Sequence, residues 1–353
     1  MSAFPSLDQP FVSGFLETPI GKAPQVSFRL GFRDRFGAFK ARWGVGRMNY
    51  QVDPGLYALG EPDGRTPVLV TANYKMSFDS LRESVPDRNA WILALDTKGI
   101  NVWCAAGKGT FGTKELVGRI ASSGLEKIVS QRDLIIPQLG APGVAAHQVQ
   151  KTTGFKVHYG PIRASDLPAF LDSGLKATPQ MRMKTFTLWE RIVLIPIELV
   201  RALQVTVFVI PAFFIIGGFS GTGGFWSNAL HNGIFPAAAF MAAVIAGTVL
   251  FPMLLPLLPG RAFSLKGFIL GATVALIAVS GELSLPFGAR FLAALSWFLL
   301  ISSLTAYLAM NFTGASTYTS LSGVKKEMRW AVPTEAFTAL AGIIFWLCSL
   351  FVV

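Results

Sequence analysis

The sequence predicts an α/β domain with a parallel sheet, followed by an all-α transmembrane domain of about five helices. Three observations predict this. Of the 353 residues, 52% are hydrophobic and only 14% charged, with a mean hydropathy of +0.49; a soluble domain is nearer to about a quarter charged, so an ordinary cytosolic enzyme is excluded. Charged, polar and apolar residues are mixed up to about Arg191, whereas beyond Arg201 long apolar stretches dominate. In the first part, short apolar runs alternate with helical stretches, the pattern of strands joined by crossover helices. The boundaries that follow are a basic N-terminal segment (1–45), the α/β domain (46–175), a linker with an interfacial helix (176–201) and the transmembrane domain (202–353).

The α/β elements can be justified in turn. Pro67–Asn73 (PVLVTAN) is an apolar run of strand length, and Ser77–Ser84 reads as the helix after it. Ala90–Asp96 (AWILALD) is a second strand, followed after an interposed segment by a helix over Thr113–Ser122. Asp133–Pro137 (DLIIP) is a third strand, with a helix over Val144–Thr153, and Phe155–Tyr159 is a fourth, with a helix over Ser165–Asp172. Continuously apolar strands belong in a sheet covered on both faces. Ligands in such folds sit at the carboxyl ends of the strands. Here those ends are Thr71–Lys75, Asp96–Cys104, Leu139–Gly143 and Gly160–Arg163.

A membrane span needs about 20 apolar residues. Five stretches fit: Ala202–Phe219, Phe235–Leu258, Gly267–Gly281, Phe291–Asn311 and Pro333–Val353. Leu188–Arg201, apolar at Ile192, Ile195 and Leu199 with charges interspersed, reads as an interfacial helix. Apart from Glu282 at a span end, no charge is expected at depth, so transport lacks the buried ionisable groups it usually requires. No cleavable signal is expected in Met1–Asp53. Arg261, Lys266, Lys325, Lys326 and Arg329 fall on one side of the spans and only Arg290 on the other, which places the soluble part in the cytoplasm and the chain in the inner membrane. The net charge of +11 is that of a basic cytoplasmic face; aromatics do not interleave with the cations as nucleic-acid binding requires.

Gly107, Gly109 and Gly112 form a G-x-G-x-x-G match, but Asp96 ends the preceding strand well upstream of it, which is the wrong context for a dinucleotide site. A phosphate loop fails as well, since Thr113 stands where lysine is required; Thr113 is instead expected to cap the next helix. The segment Asn101-Val102-Trp103-Cys104-Ala105-Ala106-Gly107-Lys108 predicts a short helix with Asn101 as N-cap and Gly107 at its end. A cysteine in such a first turn has its thiolate favoured by amide dipoles, with Lys108 adding positive charge. Ala105 and Ala106 are expected to offer a surface without bulk for a flat ligand. A lone cysteine is more often a small buried hydrophobe. With the strand ends, the candidate site gathers Thr71, Asn73, Gly140, Gly143, Gly160 and Pro161 around this helix.

NVWCAAGK resembles the cap-helix signature of the membrane corrinoid proteins of microbial mercury methylation, the HgcA family. Pro54–Tyr57, Val68–Lys75 and Gly160–Asp166 resemble that family too, and the same domain resembles the corrinoid-binding part of the corrinoid iron–sulfur protein large subunit. The resemblance covers residues 40–175 closely and the spans by architecture. It implies a Rossmann-like corrinoid-binding domain with a cap helix, a cobalamin-type corrinoid, and Cys104 as the lower axial ligand of cobalt. A soft, donating thiolate would favour departure of a methyl group toward a soft acceptor such as Hg(II). The D-x-H-x-x-G motif of histidine-ligated cobalamin domains is absent around His147, His158 and His231. Two cysteines cannot supply the four thiolates of an iron–sulfur cluster, so no cluster is expected in this chain and re-reduction would fall to a ferredoxin-like partner, HgcB in that family. Cys348 in the last span reads as packing. Arg29, Arg33, Arg35, Lys40, Arg42 and Arg47, opposed only by Asp34, read as a solvated or membrane-facing segment, or more sharply as a contact for the cofactor's phosphate or an acidic partner. The leading expectation is a membrane-anchored methyltransferase acting on Hg(II), with an unnamed methyl donor. The alternatives are a methyl carrier of one-carbon metabolism with another acceptor, and a membrane transporter with a nucleotide-binding domain.

Overall fold

The computed structural model describes residues 4–280, 287–314, 316 and 319–351. It divides into two units, Met1–Lys184 and Thr185–Val353.

The first unit is a seven-stranded mixed sheet with helices on both faces. In chain order it comprises β1 (Val12–Thr18), β2 (Gly21–Val26), α1 (Phe32–Arg42), β3 (Gly55–Leu59), β4 (Val68–Ala72), α2 (Lys75–Glu83) and β5 (Ala90–Leu95). Then follow α3 (Val102–Lys108), α4 (Thr113–Ser122), α5 (Leu125–Ile128), β6 (Asp133–Ile136), α6 (Ala146–Thr153), β7 (Lys156–Tyr159) and α7 (Leu167–Asp172). The spatial order is β1-β2-β3-β5-β4-β6-β7. The four strands expected from apolar runs, β4 to β7, pair in parallel, with Val68 opposite both Trp91 and Leu134. Every residue of β3, β4 and β5 is buried, because both faces are covered. Alternation along the strands sends Val70, Leu93 and Leu95 to one core and Leu69, Ile92 and Tyr57 to the other.

The wholly parallel sheet is corrected at its other edge. β3 runs antiparallel to β5, and β1 and β2 form an antiparallel hairpin beside it. The basic segment therefore supplies two strands and a helix to the first unit. Asp34, the one acid within the stretch 29–47, anchors α1: the carboxylate accepts from Gly31 N–H at 3.0 Å and Lys75 Nζ at 2.7 Å, and forms an ion pair with an Arg82 guanidinium nitrogen at 2.9 Å. Lys75 and Arg82 are buried and also meet Asp79, at 2.6 and 2.8 Å. Burial raises the Asp34 pKa, but the hydrogen bonds and charges of Lys75 and Arg82 outweigh it and hold the carboxyl below its ordinary value. The outer side of α1 exposes Phe32, Phe36 and Phe39, stacked ring on ring.

The second unit is helical: α8 (Leu188–Ile192), α9 (Ile195–Gly218), α10 (Phe225–Ile245), α11 (Phe251–Leu254), α12 (Phe263–Ser280), α13 (Phe287–Asn311) and α14 (Leu321–Phe351). Five helices are long and apolar enough to cross a membrane. Thr187 and Glu190 form a capping box that starts α8. The interfacial helix expected over Leu188–Arg201 ends early, since α9 starts at Ile195 and runs unbroken through Arg201 and Pro211. The second span starts ten residues before Phe235, because Pro236 sits inside α10, and a π-turn over Ala246–Leu250 joins it to α11. Glycines let α12 and α13 approach closely: a Cβ on Gly267 would lie 2.5 Å from the Ala309 Cβ, and one on Gly271 2.8 Å from the Ser302 Cα. Glu282, Gly281 and Val353 lie outside the described residues. The span expected over Pro333–Val353 carries an acid that the expectation of uncharged spans passed over: Glu335 of α14, which is only 8% exposed.

Candidate functional site

The connections set the place of the site. From β4 the chain crosses to β5 on one side, and from β6 it crosses to β7 on the other, so the order reverses between β4 and β6. Such a reversal opens a crevice beyond the strand ends. A cavity of about 420 Å³ lies there, walled by Thr71 of β4, Pro137 after β6, and Gly160 and Pro161 after β7. Asn101, Val102 and Trp103 of the cap segment also line it. Six of the fourteen expected site residues thus surround one cavity. Missed by sequence reasoning were the α2 residues Met76, Ser77 and Ser80, for which the helix after β4 was the available signal; Arg42, one of the cations offered as a contact for the cofactor's phosphate, also lines the cavity.

Cap helix α3 forms for the reasons its sequence predicts at one end and differs at the other. Asn101 is extended and its Oδ1 accepts from Cys104 N–H at 2.9 Å, satisfying one donor of the first turn. The helix continues through Gly107 and ends at Gly109, whose φ of +79° suits glycine, with Thr110 N–H returning to Ala105 O at 3.0 Å. Trp103 and Cys104 share the outer face with Gly107 and Lys108, at helical spacing. Trp103 is 39% exposed, Cys104 is half-buried, and Gly107 and Lys108 are exposed. The expected bulk-free surface at Ala105 and Ala106 is corrected: both are buried in the sheet-side core with Phe111 and Val144. Gly107 is instead the small outward residue, with open space where a Cβ would stand.

The remaining expected residues support the cap from below. Asn73 is buried, and its Oδ1 accepts from the N–H groups of Thr97 and Gly99 at 3.0 and 3.1 Å, fixing the turn that leads into α3. A Cβ on Gly140 would lie 2.4 Å from the Phe111 ring, and one on Gly143 2.0 Å from Phe111 O, so packing explains both glycines. Thr113 caps no helix; Gly112 occupies that position, and the Thr113 hydroxyl accepts from Ala145 N–H at 2.8 Å. His158 pairs with Asp133 at 2.7 Å on the exposed side of β6 and β7. Among the described residues no cluster of His, Cys, Asp and Glu is arranged to hold a metal ion. The donor available at the cap is one thiol.

A short capped helix over the switch point of an α/β sheet can now be compared with known proteins. Residues 45–171 match the family described as the CO dehydrogenase/acetyl-CoA synthase delta subunit. Similar proteins include the acetyl-CoA decarbonylase/synthase complex subunit gamma of Methanothermobacter thermautotrophicus, 32% identical over 128 residues, which are 36% of this chain and 28% of that protein. The corresponding subunit of Methanopyrus kandleri is 33% identical over 36% of this chain and 27% of its own length. The corrinoid/iron-sulfur protein large subunit of Moorella thermoacetica is 28% identical over 35% and 28%. The chain thus spans little more than a quarter of the length of these relatives. It carries a domain like that of the corrinoid/iron-sulfur protein large subunit, together with five helices of membrane length. The likeness takes in the cavity except Arg42; β1, β2, α1 and the second unit lie outside it.

Proposed function

We propose that this protein is a membrane-anchored, corrinoid-dependent methyltransferase whose acceptor is Hg(II). One observation carries the reading: a short helix, capped by its own Asn101, holds half-exposed Cys104 directly after Asn101, Val102 and Trp103, which line a cavity at the switch point of a corrinoid-protein-like domain, although Cys104 itself is not in that lining. The residues present fit such a group. The first turn of α3 fixes the thiol, Gly107 leaves the helix face open, and Thr71, Gly160 and Pro161 form a wall of small groups. At about 420 Å³ the cavity is near the lower end for drug-sized ligands, so a macrocycle would seat partly in it and partly against the cap face.

When bound, a corrinoid supplies a cobalt centre that accepts a methyl group and passes it to an acceptor. Cys104 would hold that centre through its thiolate, a soft donor suited to a transition metal. Asn101 orients this turn, and Lys108 lies on the same helix face. With two cysteines the chain cannot ligate a four-thiolate cluster, so electrons come from a ferredoxin-like iron–sulfur partner. The distribution of Lys and Arg around the spans supports an inner-membrane protein with the α/β unit in the cytoplasm, where such partners are found.

The names of the relatives favour a second reading, a methyl carrier of acetyl-CoA-type metabolism with another acceptor. Anaerobically purified protein decides between them. A corrin absorbance band that shifts in Cys104→Ala, with single-turnover methyl transfer to thiol-bound Hg(II), is the expected result. A corrin band without transfer to Hg(II) would leave the second reading. Absence of corrin, with nucleotide bound instead, would overturn both.

A further inference from the structure

In the second unit, Glu335 stands in α14 six residues beyond Arg329, about 9 Å along the axis. It is 8% exposed, and among the described residues neither carboxyl oxygen has a hydrogen-bond partner. A carboxylate at such a place is retained in membrane proteins where something pairs with it. The nearest acid along the helix, Glu327, is engaged, accepting from Ser264 N–H at 2.7 Å.

Glu335 belongs to the walls of two cavities. The smaller, about 140 Å³, also has Ser264, Ser303, Thr334 and Thr338 in its lining. The larger, about 610 Å³, is bounded by Phe213, Phe240, Trp297, Tyr307 and Trp346. Phe213 meets Trp297 and Trp346 edge to face, at centroid distances of 5.9 and 5.3 Å, so the aromatic wall is a packed unit. Two features thus converge: oxygens that lack a donor, and aromatic rings, whose faces attract cations. An uncharged apolar molecule would use the rings and leave the acid unpaired, while a small hydrated cation would leave the aromatic cavity unused.

We infer that the larger cavity is a binding site for an apolar organic cation, with its charge at Glu335 and its hydrocarbon body among Phe213, Trp297 and Trp346. The site is independent of the corrinoid reading, since it uses residues of the second unit alone.

The test uses the full chain in lipid nanodiscs and tetraphenylphosphonium, an aromatic monocation without exchangeable protons. Equilibrium dialysis should show saturable binding, accompanied by a change in tryptophan fluorescence. Glu335→Gln should weaken it about tenfold or more, as losing one partner of a buried charge pair does. Neutral triphenylphosphine oxide should compete poorly. Ala339→Phe, which fills the cavity, should abolish binding while leaving Glu335 in place, and this arm stands even if Glu335→Gln fails to fold. No saturable binding, unchanged affinity in either variant, or equal competition by the neutral compound would overturn the proposal; the last would assign the cavity to hydrocarbon alone.

Discussion

Replacing Asn101 by alanine tests how the cap helix is held. α3 has seven residues and leaves its first N–H groups without helical partners; Asn101 Oδ1 satisfies that of Cys104 at 2.9 Å. Loss of such a cap typically costs about 1 kcal/mol, within a range of about 0.5–2. So short a helix has no surplus of its own, because isolated turns are marginal and packing supplies their stability. Here packing is confined to Val102, Ala105 and Ala106. The loss should therefore appear as local opening: 1 kcal/mol corresponds to about a fivefold change in an equilibrium constant. In ligand-free protein, hydrogen exchange at the amides of Cys104 to Lys108 should speed up about fivefold, while the melting temperature falls by about 2–4 °C at most. Asn101→Asp should restore protection, since aspartate caps as well as asparagine does. Unchanged protection in the alanine variant, or equal loss in the aspartate variant, would refute the role of the cap.

Gly107→Ala should stabilise ligand-free α3 by about 0.5–1 kcal/mol, since the new methyl meets open space; if this face holds the corrinoid, cofactor retention on dilution should fall at the same time. Ala105→Leu should destabilise the fold by about 1–3 kcal/mol in chemical denaturation, because the site is fully buried. Asp34→Asn should cost about 2–3 kcal/mol, below the usual 3–5 for a broken buried pair because Asp79 still faces Lys75 and Arg82. The pH dependence has a definite sign. Folding lowers the Asp34 pKa, so its stabilisation is full above the ordinary value of 3.8 and is lost as pH falls through the lower folded value. Acid titration of melting temperature should be less steep in the variant, and identical curves would exclude the coupling.

What the sequence made readable was local. The runs VLV, AWILAL and LII are continuously apolar, so burial on both faces could be inferred without knowing their neighbours. The capping role of Asn101 follows from side-chain chemistry within one turn. What escaped depended on contacts distant in the chain. β1 and β2 (VSGFLET and GKAPQV) have mixed composition, and only the pairing of β2 with β3 joins their hairpin to the sheet. The burial of Ala105 and Ala106 depends on which way α3 turns over Phe111, which periodicity in so short a segment does not fix. Glu335 was obscured by the apolar average of its span.

The Asp34 cluster also separates inheritance from architecture. The likeness to other proteins begins at residue 45, yet Lys75 and Arg82, both inside it, reach back across that limit. Asp34 neutralises them, and the carbonyls of Ser27 and Arg29 accept from Arg82 at 2.6 and 3.3 Å. A fragment cut at the limit of likeness would leave two buried cations with Asp79 alone and would strip β3 of its neighbour β2. The unit that evolution has kept recognisable is thus smaller than the unit that folds, and fragments of this protein are better cut by its ion pairs than by its relatives.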